Sequence, residues 1–186
     1  MNFKEIVQHI AAVPEASFKA LEKFTTQVTL PKGHLLFKAG QINNNIYMIS
    51  SGISRAYVDL ESTELTFAFW GSGKVLLSIQ SYVEGTAGYE TIELLEDCVL
   101  YQFKKADLEE LYAKDIHLAN WGRKLADQSF VDTERQLIAK QFKTTAERYD
   151  DFQRDYPELM NRVKLKHIAS YLGMTQVTLS RIRAKK

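Results

Sequence analysis

The sequence contains little cysteine, little proline and no long apolar run. Its 186 residues include one cysteine, Cys98, and three prolines. A lone cysteine excludes an intramolecular disulfide, a cysteine-ligated iron–sulfur cluster and a zinc knuckle built within the chain. No apolar run approaches the length of a membrane span, and the first residues lack the apolar stretch of a signal peptide. We therefore expect no membrane partner and a cytoplasmic location.

Two segments lack charge of one sign. No basic residue lies between Lys74 and Lys104, and the last 26 residues contain no acidic residue. Those 26 residues hold seven of the 24 basic residues, which leaves 17 basic and 23 acidic residues in the first 160. A mildly acidic body therefore precedes a basic end. Lysine and arginine bind phosphates by displacing condensed counterions, so the basic end favours a polyanionic partner.

The basic end has the apolar spacing of two short helices joined by a tight turn. Ile168 and Leu172 recur at helical spacing, and Gly173 can take the positive φ with which helices commonly end. Thr175 follows as a candidate N-cap, and Leu179 and Ile182 would form the inner face of the second helix. The pattern predicts a helix-turn-helix. The alternative reading is a C-terminal helical hairpin with a solvated basic face.

An exposed helix that begins with polar and guanidinium side chains suits the major groove of DNA. Arginine can bind guanine through two hydrogen bonds, glutamine suits adenine, and serine or threonine can serve bases or phosphates. Double-stranded DNA is therefore the expected partner. The predicted DNA-binding residues are Lys164, Lys166, His167, Thr175, Gln176, Val177, Thr178, Ser180, Arg181, Arg183 and Lys185.

The rest of the chain predicts an α+β fold. Residues 3–24 have helical spacing, interrupted near Pro14. From Thr29 onward, short runs rich in β-branched and aromatic residues alternate with glycine, asparagine and serine, which is typical of a sandwich or small barrel. A short helix is expected around Leu108 and Leu111, and another over about 144–154.

A long helix is predicted over about 115–142. At 1.5 Å per residue it would extend about 42 Å, longer than a small domain is wide, so its apolar stripe needs a cover. A second copy of the chain is the favoured cover, because long amphipathic helices pair as coiled coils. Packing against the chain's own barrel stays open as the alternative. The predicted dimer-interface residues are Leu118, Trp121, Leu125 and Gln128.

Barrel, long helix and helix-turn-helix, in that order, resemble the superfamily of the cyclic-AMP receptor protein and the fumarate–nitrate regulator. The stretch LFKAGQINNNIYMISSGISRAYV is similar to the superfamily's cyclic-nucleotide-binding barrel, a double-stranded jelly roll. The segments AERY, YPEL and IASYLG, followed by LSRIR, resemble a branch found in Bacteroidetes-type bacteria.

The resemblance implies a homodimeric bacterial transcription regulator. The implied domains are an N-terminal sensor over 1–114, a dimerisation helix over 115–143 and a DNA-binding domain over 144–186. By position, Gln176, Val177 and Arg181 stand where base-reading residues usually stand. Relatives commonly continue into a β-hairpin wing, which is not evident here, so Lys185 and Lys186 are expected to replace its phosphate contacts. RNA polymerase is a further partner that such a regulator implies.

The resemblance also locates the segment that binds cyclic nucleotide in relatives. Their cassette uses a glutamate for the ribose and an arginine for the cyclic phosphate, whereas Ser78 and either Gly88 or Tyr89 occupy those positions here. A buried phosphate without a cationic partner is unfavourable, so we expect no binding of cyclic AMP in the usual mode. The expected pocket for an unknown effector is lined by Leu77, Ser78, Gly88 and Tyr89.

Two other function classes are alternatives. A cupin-like metalloenzyme needs closely spaced histidines, and the four histidines of this chain are scattered, so no catalytic residue, metal or cofactor is predicted. The second is a protein-interaction or ligand-sensing module with a degenerate helix-turn-helix that does not bind DNA. The missing wing and Val177 favour it.

Overall fold

A computed structural model describes residues 1–61 and 63–184. The chain begins with α1 (Phe3–Ile10) and α2 (Glu15–Lys23), as the helical spacing predicts. Asn2 and Glu5 form a capping box at α1: the Asn2 side chain accepts from the Glu5 amide at 2.9 Å, and the Glu5 carboxylate accepts from the Asn2 amide at 2.8 Å.

Eight strands follow in two four-stranded sheets. The sheet orders are β1-β8-β3-β6 and β2-β7-β4-β5, which together form the jelly roll that the resemblance implies. The strands are β1 (Thr26–Leu30), β2 (Leu35–Phe37), β3 (Asn45–Ser51), β4 (Ser54–Leu60), β5 (Thr63–Trp70), β6 (Val75–Leu76), β7 (Thr91–Leu94) and β8 (Cys98–Lys104).

Helices flank and follow the strands. α3 (Ile79–Glu84) ends at Gly85, whose φ of 70° is the left-handed conformation that closes helices cheaply only for glycine. α4 (Lys105–Lys114) leads directly into α5 (Ile116–Phe142), the predicted long helix. Within the described residues, no helix is both long and apolar enough to cross a membrane.

The chain separates into two compact units, and the cut falls inside α5. The first unit comprises Met1–Ala56 and Phe69–Gln128, and the second comprises Tyr57–Ala68 and Ser129–Lys186. The sequence-based limits placed all of β4 and β5 with the barrel and treated the long helix as a separate segment. The structure instead groups the tip of the β4–β5 hairpin with the C-terminal helices.

The core of the first unit explains the start of α5. Leu118 and Trp121 are fully buried in one chain among residues of α1, α2 and α4. The Trp121 indole donates to the Val7 carbonyl at 2.9 Å, and the Gln128 amide donates to the Ile10 carbonyl at 3.2 Å. Leu125 is partly buried against the same core. We therefore correct the assignment of Leu118 and Trp121 to a dimer interface, because the chain's own helices cover both side chains. Leu125, which is partly buried, and Gln128, which is exposed, stay predicted interface residues.

The second unit contains the C-terminal helices. α6 (Thr145–Asp155) begins at the N-cap Thr144 and is followed by a single 3₁₀ turn, Pro157–Leu159. α7 (Leu165–Tyr171) and α8 (Gln176–Ala184) come next, joined by a short turn at Gly173. This is the order and spacing that the basic end predicts.

Candidate nucleic-acid interface

The turn between α7 and α8 is built by local signals. Gly173 has a φ of 68°, and the Met174 amide donates back to the Ala169 carbonyl at 3.0 Å, which closes the end of α7. The Thr175 hydroxyl then accepts from the Thr178 amide at 3.1 Å and caps the start of α8. The predicted roles of Gly173 and Thr175 in this turn are confirmed.

An apolar core holds the helix pair in shape. Ile168, Leu172 and Leu179 are buried, as their spacing predicts, and they share the second unit with the buried Tyr149 and Phe152 of α6. The Phe152 ring also lies 5.5 Å from that of Tyr171, measured between centroids, and burial raises the pKa of the Tyr171 hydroxyl. The outer faces of α7 and α8 are thus presented by a packed scaffold.

Arg148 of α6 donates to three backbone carbonyls at the ends of α5 and α7. Its Nη2 donates to the Leu172 carbonyl at 3.0 Å, at the end of α7. Its Nη1 donates to the carbonyls of Lys143 and Lys140, at 3.2 and 3.4 Å, at the end of α5. Such carbonyls have no partner within their own helix, and a guanidinium can satisfy several of them. No local sequence signal marks Arg148, because its contact with Leu172 spans 24 positions.

Most of the predicted DNA-binding residues lie on the surface, with one exception. His167 is 5% exposed, so its predicted phosphate contact is corrected: it belongs to the buried side of α7. Val177 is 60% exposed, as a base-reading position requires. Lys185 and Lys186 lie outside the described residues. The exposed members of the predicted set are Lys164, Lys166, Thr175, Gln176, Val177, Thr178, Ser180, Arg181 and Arg183.

The first unit contains the segment that corresponds to the nucleotide cassette. The Ser78 hydroxyl donates to that of Ser81 at 3.2 Å, which in turn donates to the Thr86 carbonyl at 2.9 Å. A Cβ added to Gly88 would lie 2.4 Å from the Ser78 hydroxyl and 3.1 Å from the Glu90 carboxylate. The space where a side chain at position 88 would begin is therefore already filled by polar groups, one of them acidic.

The four residues predicted to line an effector pocket do not all share one environment. Ser78 and Gly88 are buried together, and Leu77 is partly buried against the helical core. Tyr89 is 60% exposed, so its side chain faces solvent in this conformation. Ser81 and Glu90, which are not among the four predicted residues, are buried beside Ser78 and Gly88.

One buried arginine of the barrel lies next to the segment that corresponds to the nucleotide cassette, although it belongs to another strand. Arg55 of β4 is 3% exposed, and its Nη2 lies 2.8 Å from the Glu93 carboxylate of β7. The segment between Lys74 and Lys104 contains no basic residue, but strand order places this cation next to it. The carboxylate of Glu93 already compensates its charge, as a buried cation requires.

Comparison with family models supports the architecture. The model of the cyclic nucleotide-binding domain matches residues 27–115. A comparison with curated proteins finds no match.

Solved structures extend the likeness to most of the chain. FixK2 from Bradyrhizobium japonicum superposes with a TM-score of 0.75 at 20% identity, over 87% of this chain and 83% of that one. CLP from Xanthomonas campestris, a global regulator responsive to c-di-GMP, superposes with a TM-score of 0.73 at 17% identity. The match covers 92% of this chain and 91% of that one. A protein from Eubacterium rectale, described as a transcriptional regulator of the Crp/Fnr family, superposes with a TM-score of 0.73 at 16% identity. The match covers 93% of this chain and 83% of that one. The model of the cyclic nucleotide-binding domain thus matches residues 27–115 of a chain that has the fold of the Crp/Fnr-family transcription regulators.

Proposed function

We propose that the protein is a homodimeric, DNA-binding transcription regulator whose barrel does not bind cyclic AMP in the usual mode. The observation that carries the proposal is the outer surface of α7 and α8. It presents exposed lysines, arginines and hydroxyl side chains without an acidic residue, on a pair of helices held by a buried core. Duplex DNA is the polyanion that such a helix pair fits, because one α-helix fills the major groove.

The start of α8 is the proposed reading surface. Gln176, Val177 and Arg181 are exposed on this helix. Gln176 suits adenine, Arg181 suits guanine, and the methyl groups of Val177 can contact a thymine methyl. Lys164 and Lys166, exposed on and before α7, would contact phosphates and set the orientation of the helix pair on the duplex.

The second half of α5 supports a dimer. Phe130 and Leu137 are exposed and seven residues apart, and Val131 and Ile138 repeat the same spacing. Phe142, 79% exposed, follows one turn later. These residues leave an apolar face of the helix exposed to water, so a second copy of this helix is the proposed cover. A two-fold dimer would place two reading helices about one DNA turn apart, roughly 34 Å.

The segment that corresponds to the nucleotide cassette supports the proposal that cyclic AMP does not bind in the usual mode. A cyclic phosphate buried near Gly88 would meet the Glu90 carboxylate and the Ser78 hydroxyl rather than an arginine. Arg55 is already engaged by Glu93. An unpaired buried phosphate is strongly unfavourable, so a different effector, or none, would control this regulator. We further propose that it acts in the cytoplasm, where it would meet the chromosome and RNA polymerase, and that it has no catalytic role.

The salt dependence of DNA binding tests the proposal. Purified protein and a random-sequence duplex of about 30 base pairs should show a linear fall of log affinity with log salt, because released counterions drive binding. Replacing both Lys166 and Arg183 with glutamine should weaken binding and reduce the slope by about 2. The matched control replaces Lys19 and Lys23 of α2 with glutamine, which removes the same charge from exposed positions of the first unit. Absence of salt-dependent binding would favour the protein-interaction module instead.

A further inference from the structure

The tip of the β4–β5 hairpin is bonded to α7 through one side chain. The Ser170 hydroxyl accepts from the Thr66 amide at 2.9 Å and donates to the Glu64 carbonyl at 2.9 Å. β5 is the last strand of its sheet. Residues 64 and 66 direct these backbone groups to the same side of the strand, so one hydroxyl satisfies a donor and an acceptor of that strand. All three residues belong to the second unit.

This contact creates a groove that has an acidic wall on the hairpin side and one lysine on the opposite side. Residues 57–68 of the hairpin carry three acidic residues and no basic one. The opposite wall includes Lys166 of α7 and the start of α8, with Thr175 and Gln176. The acidic side chains that line the groove are those of Asp59, Glu61 and Glu64.

The same positions of α7 and α8 are those proposed to meet DNA. A phosphate backbone that reached Lys166 and Thr175 would enter a groove already lined by carboxylates, where like charges repel. The hairpin also occupies the space beside Gln176, the first residue of the proposed reading helix. The acidic hairpin and a DNA duplex therefore cannot both use this face in the arrangement seen here.

We infer that the β4–β5 hairpin is an intramolecular competitor of DNA, held on the helix pair by the Ser170 hydroxyl. In this state the hairpin carboxylates occupy the place of DNA phosphates, and DNA binding requires the hairpin to leave. The inference rests on the proposed DNA-binding function. A single hydrogen bond changes an equilibrium by about tenfold or less, so two bonds and weak charge attraction make a contact that DNA or an effector can displace.

Two sets of variants separate the bonds from the charges. Ser170→Ala removes both hydrogen bonds and leaves the charge of the protein unchanged, whereas Ser170→Thr keeps a hydroxyl and should behave like the natural protein. The triple variant Asp59→Asn, Glu61→Gln and Glu64→Gln removes the acidic wall but keeps the Glu64 carbonyl. Its matched control changes three exposed acidic residues of the first unit, Glu22, Glu84 and Glu109, to glutamine.

Hydrogen exchange in the absence of DNA tests the contact itself. In the full-length protein, Ser170→Ala should raise the exchange rate of the Thr66 amide by about three- to tenfold, while the core amides of α6 stay protected. Ser170→Thr should restore the slow rate. Unchanged exchange at Thr66 in Ser170→Ala would overturn the inference, because the contact would then not hold the hairpin.

Binding of a random-sequence duplex tests the competition. Ser170→Ala and the triple hairpin variant should each bind about three- to tenfold more tightly than the natural protein at the same salt concentration. The control triple variant should gain about twofold at most, since its residues do not line the groove. Equal gains in both triple variants, or an unchanged affinity in Ser170→Ala, would overturn the inference. If the exchange result holds but no variant binds DNA, the proposed function fails together with the competition, while the hairpin contact stands.

Discussion

The hydroxyl of Ser78 lies where a side chain at Gly88 would have to begin: an added Cβ would come within 2.4 Å of it. The Glu90 carboxylate lies on the same side, at 3.1 Å. In the superfamily that this chain resembles, position 88 or its neighbour carries the arginine for a cyclic phosphate. Here the same space is filled and partly acidic, which makes the cassette a poor anion site.

Cyclic AMP should therefore not bind. Calorimetric titration of the purified protein is expected to show no binding heat up to about 1 mM ligand, since an unpaired buried phosphate gains too little to reach even that affinity. Gly88→Arg should fail to create a site and should lower the free energy of unfolding by about 1–3 kcal/mol, because it overpacks the space beside Ser78. Micromolar binding that is lost on changing Ser78 or Tyr89 would contradict this prediction.

Trp121 should behave as a core residue of one chain. Trp121→Phe removes the indole donor to the Val7 carbonyl and should cost about 1–3 kcal/mol of unfolding free energy, and Trp121→Ala about 3–5 kcal/mol. Ile116→Ala, at an exposed site of the same helix, should change stability by about 0.5 kcal/mol or less. Chemical denaturation measures all three. A Trp121 variant of unchanged stability that dissociates a dimer would return this residue to the interface.

The exposed stripe of α5 should carry the dimer. Phe130→Ser with Leu137→Ser removes two large apolar groups and should weaken self-association by about tenfold or more, without loss of helical circular dichroism. The control, Glu134→Ser with Gln141→Ser, introduces two serines into the same helix without removing an apolar side chain. Its self-association constant should stay within about twofold of that of the natural protein. Light scattering over a concentration series measures the self-association of both double variants. A natural protein that stays monomeric at high concentration would contradict the proposed dimer.

The start of α5 should add a pH-dependent contribution to stability. A hydrogen bond from Ser17, followed by the backbone amides of His117 and Leu118, holds the pKa of Asp115 below its usual value. A lowered folded pKa means that the stabilisation is present above the unfolded value, near 3.9, and is lost as the pH falls through the folded pKa.

The comparison with Asp115→Asn isolates this contribution. The stability advantage of the natural protein over the variant, measured by urea denaturation, should be present at pH 7. It should begin to shrink as the pH falls below about 4, towards the folded pKa of Asp115. Asp127→Asn, which alters an exposed ion pair on the same helix, is the control and should show a small difference throughout. An Asp115 advantage that stays constant from pH 7 to pH 3 would contradict the assignment.

Local signals account for what the sequence predicted well. Gly173 and Thr175 end and begin helices through their own backbone and hydroxyl, so the helix pair was visible without tertiary information. Gly40 and Gly52 mark turns of the barrel for the same reason, with φ values of 77° and 110°. The two-residue strand Val75–Leu76 carries no period that a sequence could reveal.

Non-local contacts account for what was missed. The bond between Ser170 and Thr66 spans 104 positions, and the pair of Arg55 and Glu93 spans 38. No window of sequence links such residues. The stripe around Trp121 illustrates a further limit: periodicity identifies a face that must be covered, but it does not distinguish the chain's own core from a second copy.

Selection of bound sequences from a pool of randomised duplexes tests the central claim most directly. Purified protein should enrich a two-fold symmetric motif whose half-sites lie about one helical turn, roughly 10 base pairs, apart. Arg181→Ala should lose the preference at one position of each half-site while keeping salt-dependent binding. A pool that remains random after selection, for the natural protein as for Arg181→Ala, would contradict the proposal that this chain reads DNA.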